Sequence, residues 1–373
     1  MPDEVLESVT SQARSAGGRA APIDGVLVVS FGGPRGPADV LPFLENVTAG
    51  RGIPRERLEV VAEHYFSRGG VSPINAETDA FIEAMRVQLA ARGRGDVAVY
   101  SGNRNWSPTI AEALTTAAGD GRAHLAVVLT SAYSGYSSCR QYRENIADAA
   151  AQVEQPLRDR GLVLPRLSFV RPWGLQAEVV EAWGRLATGA VKALPADDVR
   201  LVFVAHSIPS SAARASGPPG EGGAYVRELT DLAGRVAEHV RGRVGSPVRW
   251  SIAYCSRSGL PQTPWLEPDI SDELADLAAQ GVRGVAAVPI GFVADHMEVV
   301  QDLDTVAAAD ASRLGIAWHR APTLRDDPHV AGRLAELALA AGEQPGQCPR
   351  GCCAPVGRPG APVADRAAAF EGR

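Results

Sequence analysis

One residue suited to acid–base or metal chemistry is a histidine at the end of an apolar segment. His206 follows the run 199–205, and a short turn of polar and proline residues comes directly after it. Its imidazole could accept a proton near neutral pH or bind a metal ion. The alternative is a histidine whose hydrogen bonds are satisfied inside the core, and position alone does not separate the two.

A second such point follows the apolar segment 283–290. His296 and four carboxylates lie within residues 295–304, and two of these carboxylates, Glu298 and Asp302, are four residues apart. On a helix they would share one face. Imidazole and carboxylate donors together suit ferrous iron and similar cations. A solvated acidic helix face is the plainer alternative.

The elements that must position these residues follow an alternating pattern. Short apolar runs alternate with segments of helical period, which is typical of βαβ units and a parallel sheet. The expected strands lie at 24–31, 97–101, 123–131, 166–171, 199–206, 247–254, 283–290 and 315–319, and clear helical patterns lie at 78–92, 109–118, 140–153, 176–193 and 222–242. The pattern predicts an α/β fold of two Rossmann-like, doubly wound parallel-sheet domains with a cysteine-bearing C-terminal extension. Functional residues collect at the carboxyl ends of such strands, where His206 lies.

Five regions are expected along the chain. They are a disordered N-terminus at 1–22, a first Rossmann-like domain at 23–175, a second at 176–325, a C-terminal helix with a cysteine-rich segment at 326–353, and a flexible tail at 354–373. Neither half contains G-x-G-x-x-G or a P-loop, so a dinucleotide site is not indicated.

Composition excludes several classes of protein. The chain has 373 residues, 45% of them hydrophobic, and a net charge of -6. This balance suits a globular core and argues against a nucleic-acid binder. No apolar run reaches about 18 residues, and the N-terminus resembles no secretory signal, so we expect a cytoplasmic protein that is not an integral membrane protein.

Four motifs, in this order, resemble those of the ferrochelatase family. They are GGVSPI at 69–74, VAHSIP at 204–209, YCSRSG at 254–259 with PWL at 264–266, and FVADHME at 292–298. The resemblance runs from about residue 24 to 335. It implies insertion of ferrous iron, as a substrate, into a porphyrin held between two Rossmann-like domains. It also implies that His206 and Glu298 are the central catalytic pair around the metal.

The residues agree with this chemistry. Insertion removes two pyrrole protons, so His206 is the expected proton acceptor or transient iron ligand, Glu298 faces it, and Asp302 is a relay for protons or iron. A positioned base typically contributes about 10²–10⁴-fold. Some family members carry a further carboxylate one turn beyond Asp302, where this chain has Val306. An outer metal site built on that acid is not expected.

The porphyrin needs apolar walls and a few polar anchors. Position in the family pattern makes Ser72 and Tyr142 the first candidates to bind propionates, followed by Arg51, His64 and Tyr65. Phe31 is expected to line the wall. Some family members have a tyrosine in this first-strand motif; Phe31 cannot bind iron, so axial ligation from its side is not expected.

The cysteines form a second group. Cys348, Cys352 and Cys353 lie in a Gly/Pro-rich segment, and Cys139 is the expected fourth member. Four thiolates suit a [2Fe–2S] cluster or structural zinc, with free thiols as the alternative. Some ferrochelatases carry a [2Fe–2S] cluster on one internal and three C-terminal cysteines, and this arrangement resembles theirs. Cys255 is expected to be a buried small residue.

The composition and the C-terminal cysteines resemble those of a bacterial branch of the ferrochelatases, and this resemblance implies conversion of coproporphyrin III into Fe-coproporphyrin III (coprohaem). The alternatives are a protoporphyrin IX ferrochelatase, a cobalt or nickel chelatase of related shape, and a non-catalytic haem or porphyrin carrier. The expected partners are the porphyrin and a downstream enzyme that processes coprohaem, with the protein a monomer or a homodimer.

Overall fold

Eight apolar segments form the strands of two parallel sheets, and three of the four central strands are buried along their whole length. Strands covered on both faces read as continuous apolar runs, which is why their positions show in the sequence. The structure is a computed structural model, and it describes residues 22–50, 52–195, 198–245, 247–258, 262–343, 348–349 and 351–356. The expected flexible termini therefore lie outside the described residues, apart from residue 22 and residues 354–356.

The first unit is the sheet formed by β1 to β4 with its helices. Its elements are β1 (Gly25–Ser30), α1 (Pro37–Val47), α2 (Arg55–Phe66), α3 (Pro73–Ala91), β2 (Ala98–Asn103), α4 (Ile110–Gly119), β3 (His124–Leu129), a π-helical turn (Tyr136–Arg140), α5 (Gln141–Asp159) and β4 (Arg166–Phe169). The helix α6 (Ala177–Lys192) leads out of this unit.

The second unit is the sheet formed by β5 to β8 with its helices. Its elements are β5 (Val199–His206), α7 (Ser210–Arg214), α8 (Ala224–Val244), β6 (Trp250–Cys255), α9 (Ile270–Ala279), β7 (Gly284–Val288), α10 (Met297–Val299), a π-helix (Val300–Ala307), α11 (Ala308–Arg313) and β8 (Ala317–Arg320). A last helix, α12 (Pro328–Ala340), returns to pack against α3 of the first unit.

The two sheets have the same topology. Their strand orders are β2-β1-β3-β4 and β6-β5-β7-β8, and every pairing is parallel. The order reverses between β1 and β3, and again between β5 and β7. Ligands bind at such switch points, outside the carboxyl ends of the strands. The prediction of two doubly wound parallel sheets is confirmed.

The units share one apolar core. It includes Val28 of β1, Met85 of α3, Trp183 of α6, Phe203 of β5 and Leu334 of α12, all nearly or fully inaccessible to solvent. Burial of this much apolar surface holds the two sheets against each other. Among the described residues, no helix is long and apolar enough to cross a membrane.

The helix that carries the acidic residues differs from the expected one. Glu298 lies in the short α10, but Asp302 lies in the π-helix, whose i→i+5 pattern makes wider turns than the α-helical spacing we expected. Two carboxylates of the π-helix form hydrogen bonds with side chains at the ends of neighbouring strands. Ser256, after β6, binds Asp302, and Arg320, at the end of β8, binds Asp304.

Candidate active site

His206 is the last residue of β5 and is half-buried. Its Nδ1 lies 2.5 Å from the carbonyl oxygen of Ser207, a contact that requires the proton on Nδ1. In the neutral ring the Nε2 lone pair is therefore free. That atom lies 3.4 Å from Oε2 of Glu298. Nε2 is thus positioned to accept a proton or to bind a cation next to a carboxylate.

A close backbone approach brings Glu298 to this histidine. The segment after β7 runs alongside the end of β5, where the N–H of Gly291 donates to the carbonyl of Val204 at 3.1 Å. A Cβ at Gly291 would lie 2.6 Å from Cα of Ala205. Only glycine fits at this distance. Because Gly291 follows the apolar segment directly, the chain after it can come close enough to reach His206.

Glu298 also faces a second imidazole. Nδ1 of His296 lies 4.0 Å from the same Oε2 that faces His206. The ring of Phe292 packs against both histidines, with centroids 6.3 Å from His206 and 5.3 Å from His296. His296 was expected only as one of several possible metal donors and not as a member of the catalytic pair, and the geometry places it at the site.

The pKa values of the two imidazoles are shifted in opposite directions. Burial alone would lower the pKa of His206, but the Glu298 carboxylate and the Ser207 carbonyl outweigh it, so the net shift is upward. Burial lowers the pKa of His296, with only partial compensation from Glu298. His206 is therefore the stronger base of the pair.

Asp302 lies beyond Glu298, in the π-helix. The hydroxyl of Ser256 donates to its Oδ2 at 2.5 Å. Burial raises the pKa of Asp302, and the nearby Glu298 charge adds to this, while the Ser256 bond acts against it. A raised carboxyl pKa suits a group that takes up and releases protons.

The Cys255 thiol is buried as expected, and burial raises its pKa as well.

An aromatic wall from the first unit faces this acidic segment. Phe43 of α1 makes edge contacts with three rings, at centroid distances of 6.1–6.3 Å; they belong to Phe31, Tyr65 and Trp106. Met297, next to Glu298, packs into the same cluster. Burial raises the pKa of the Tyr65 hydroxyl, and the Glu298 charge raises it further. The structure thus places Phe31 and Tyr65 opposite the acidic segment.

The other expected anchors lie on several elements of the first unit. Ser72 is buried beside the turn after β1, as the N-cap of α3, and His64 is half-buried on α2. Tyr142 is buried on α5. Arg51 lies outside the described residues.

Arg104 was not among the expected site residues. Its guanidinium lies 4.5 Å from the ring centroid of Tyr142 and 5.6 Å from that of Phe31, and its Nε donates to Asn145 at 2.8 Å. The only sequence signal was its place directly after β2, at the carboxyl edge of the first sheet. A cation between two expected porphyrin contacts suits the recognition of a carboxylate.

The four cysteines of the second group lie together. Cys348 hydrogen-bonds with both Cys139 and Cys352, and the Sγ atoms of Cys352 and Cys353 are 3.8 Å apart. Hydrogen bonds from the Cys139 and Cys352 thiols lower the pKa of Cys348. Within the described part of the chain, no three His, Cys, Asp or Glu side chains are arranged as the ligands of a single metal ion.

Positively charged residues surround the thiols. Arg143 and Arg171 line a small cavity together with Cys139 and Cys348, and both favour the thiolate form of Cys348. The guanidinium of Arg140 donates to the carbonyl of Cys352 at 3.1 Å. Positive charge of this kind lowers the cost of burying several thiolates.

Comparisons with known proteins and with family models agree on one family. Residues 23–341 match the ferrochelatase family. A coproporphyrin III ferrochelatase of Streptomyces coelicolor is 47% identical over 370 residues (93% of this chain, 97% of the relative), and one of Nocardia farcinica is 44% identical over 360 residues (91% and 99%). The solved structure of SirB from Bacillus subtilis with Fe3+ aligns with a TM-score of 0.51 at 16% identity, covering 86% of this chain and 97% of SirB, which supports the fold alone. With a family match over most of the chain and relatives this similar along their whole length, the chain belongs to the ferrochelatase family.

Proposed function

We propose that this protein inserts ferrous iron into coproporphyrin III and releases Fe-coproporphyrin III (coprohaem) in haem biosynthesis. The observation that carries the proposal is the pair of His206 Nε2 and Glu298 Oε2, 3.4 Å apart and opposite an aromatic wall. The names of the relatives at 44–47% identity support coproporphyrin III over protoporphyrin IX.

The residues at this site have distinct roles in the proposed reaction. Nε2 of His206 accepts a pyrrole proton, since its lone pair is free and its pKa is raised. Glu298 stabilises the resulting imidazolium and passes protons toward Asp302. His296, whose pKa is lowered, stays neutral, so it does not repel the entering dication.

The porphyrin contacts are proposed on the first unit. Phe31 and Tyr65 supply apolar surface for the ring. Ser72, Tyr142, His64 and Arg51 remain the proposed partners of the propionates, and Arg104 joins them because its guanidinium lies between Phe31 and Tyr142. Four propionates need more donors than two, which fits a wall with several polar groups.

Anaerobic insertion assays test the substrate. The purified protein is mixed with ferrous iron and either coproporphyrin III or protoporphyrin IX, and the absorbance change of each porphyrin is followed. Turnover of the first at a much higher kcat/KM is expected. A preference for protoporphyrin IX would overturn the choice of substrate. Tight binding of both without insertion would favour a carrier.

We further propose that Cys139, Cys348, Cys352 and Cys353 hold a [2Fe–2S] cluster. The donor set fits, since four thiols in contact suit this cluster and three arginines offset its charge. When bound, the cluster would supply iron–sulfur bonds that tie the C-terminal segment to the first unit, and iron insertion itself transfers no electrons.

The test for the cluster is the visible absorbance of protein purified without oxygen, together with iron and acid-labile sulfide analysis. Two irons and two sulfides per chain are expected, and Cys352→Ser should lose the absorbance while Cys255→Ser keeps it. Bound zinc without sulfide would identify a structural zinc site instead. A coloured Cys352→Ser protein would contradict the ligand set.

We propose a cytoplasmic location, because the cysteine thiolates that the proposed cluster needs persist in a reducing compartment. The proposed partners remain the porphyrin and a downstream enzyme that takes up coprohaem. Either a monomer or a homodimer is compatible with this reaction.

A further inference from the structure

Glu77 is a buried carboxylate that the proposed reaction does not use. It belongs to the second turn of α3 in the first unit, and only 7% of its surface is exposed. A carboxylate at this depth is costly unless its oxygens accept several hydrogen bonds. Its partners therefore indicate why it is there.

Among the described residues, the three partners of Glu77 belong to the second unit or to the segment that follows it. Its Oε2 accepts from the backbone N–H of Asp295 at 2.6 Å and from the hydroxyl of Thr323 at 3.0 Å. Its Oε1 lies 3.0 Å from Nε of Arg325. One side chain of the first unit thus binds the segments that follow β7 and β8.

The bond to Asp295 acts next to the candidate active site. Asp295 directly precedes His296. Its carboxylate accepts hydrogen bonds from both terminal nitrogens of Arg320, at 3.0 and 3.1 Å. The same guanidinium binds Asp304 of the π-helix. Glu77 therefore connects the first unit to both ends of the segment that carries Glu298 and Asp302.

The same stretch of α3 also holds the opposite wall. The amide of Asn75 donates to the carbonyl of Gly33 at 2.9 Å, and the hydroxyl of Thr78 donates to Ser30 at 3.1 Å. These two bonds flank Phe31. The first two turns of one helix thus bind the backbone on both sides of the proposed porphyrin site.

We propose that Glu77 is a positioning residue for iron insertion: it fixes segment 291–298 against the first unit and so sets the placement of His296 and Glu298 relative to the aromatic wall. This inference rests on the proposed function for its catalytic consequence. A misplacement of about 1 Å can cost on the order of 10²-fold in rate, so a single interunit bond at this place can matter.

Three variants separate positioning from general stability. Glu77→Leu keeps the volume but removes the acceptor of Asp295 and Thr323. Glu77→Gln keeps an acceptor oxygen, and the half-exposed Arg325 can turn to water. Glu336→Leu is the matched control, because it breaks the pair with Arg92 at the far end of the same helix, where the two oppositely charged groups are 2.8 Å apart.

The first measurement is hydrogen exchange of peptides covering 291–298, which needs no activity. Faster exchange is expected in Glu77→Leu, with near wild-type exchange in Glu77→Gln and Glu336→Leu. Unchanged exchange in Glu77→Leu would overturn the proposal. If Glu77→Leu does not fold, Thr323→Val replaces it, since valine matches threonine in shape and removes one donor to the same oxygen. Faster exchange is expected there too, and unchanged exchange would overturn the proposal.

The second measurement is anaerobic insertion with ferrous iron and porphyrin varied separately. The Leu variant should lose about 10- to 100-fold in kcat with the porphyrin KM within about 3-fold of wild type, and the Gln variant should recover most of the rate. Faster exchange with wild-type kcat would overturn the positioning role. If wild-type protein inserts iron into neither porphyrin, the proposed function fails and the catalytic consequence with it, while the exchange data still decide whether Glu77 holds the segment.

Discussion

At the scale of single residues, the proposed chemistry depends on which ring nitrogen of His206 is free. The Ser207 carbonyl holds the proton on Nδ1, so the lone pair of Nε2 points toward Glu298. Were the proton on Nε2 instead, that atom would face the site as an N–H and could not accept a pyrrole proton. The strand end thus determines the tautomer as well as the position.

Removal of the His206 ring should separate chemistry from binding. His206→Ala is expected to lower kcat by about 10²-fold or more, because the loss of a positioned base has this size. The Kd for the porphyrin, measured by fluorescence quenching, should stay within about 3-fold, since the aromatic wall is intact. His329→Ala, at an exposed histidine on α12, is the control. A His206→Ala protein with normal turnover would show that another group accepts the proton.

Arg104 allows the complementary experiment on binding. Arg104→Met keeps the apolar stem of the side chain but removes the charge that lies beside Phe31 and Tyr142. A charge-assisted hydrogen bond is worth about 1.5–3 kcal/mol, so the Kd for coproporphyrin III should rise about 10-fold or more. The exposed Arg158→Met serves as the control. Unchanged affinity would remove Arg104 from the porphyrin site.

At the scale of elements, one carboxylate at the contact between the units has a shifted pKa, so the stability of the fold should depend on pH. Glu228 of α8 accepts from the N–H and the hydroxyl of Ser134, at 2.7 and 2.6 Å. Burial raises its pKa above the ordinary 4.5, and the Ser134 bonds together with Arg227 and Arg171 offset only part of this. The folded state therefore holds this proton more tightly than the unfolded state does.

The sign of the resulting pH dependence follows from linkage. Between pH 4.5 and the higher pKa of the folded state, the contribution of Glu228 to the free energy of unfolding falls as pH rises. Urea unfolding should be measured for wild type and Glu228→Gln at several values between pH 4 and 8. As pH rises, the free energy of unfolding of the wild type should fall relative to that of the variant. The size is about 1.4 kcal/mol for each pKa unit of the shift. A difference that is flat, or that moves toward the wild type, would mean that the pKa of Glu228 is not raised on folding.

The predictability of each element depended on whether its signal is local. All eight strands were predicted, because each is a short apolar run. The helix expected from residue 78 begins at Pro73 in the structure, because its first turns bury the polar residues Asn75 and Glu77. These residues bind partners that are distant in sequence: Asn75 binds Gly33, and Glu77 binds Asp295. No local pattern marks such pairs, and none marks the π-helix.

At the scale of the whole molecule, the cysteine-rich segment lies where it can join the two units. Cys353 belongs to the C-terminal segment, yet its N–H donates to the carbonyl of Gly217 and its Sγ accepts from the N–H of the same residue, after α7 in the second unit. Cys139 and Arg140 belong to the first unit and contact the same segment. A metal group held by these cysteines would therefore connect the first unit, the second unit and the chain terminus.

This arrangement predicts that the proposed cluster stabilises the fold as a whole. Any group that binds only the folded state adds to its stability, and about 1 kcal/mol shifts the Tm of a chain this size by roughly 1–2 °C. Calorimetry of protein purified without oxygen should therefore show a Tm about 5 °C or more above that of chelator-treated protein. Cys139→Ser should start at the lower value and respond no further to the chelator, because the site is already lost. An equal chelator effect on both proteins would mean that the stabilising metal is bound elsewhere and that the C-terminal segment is held to the units by its hydrogen bonds alone.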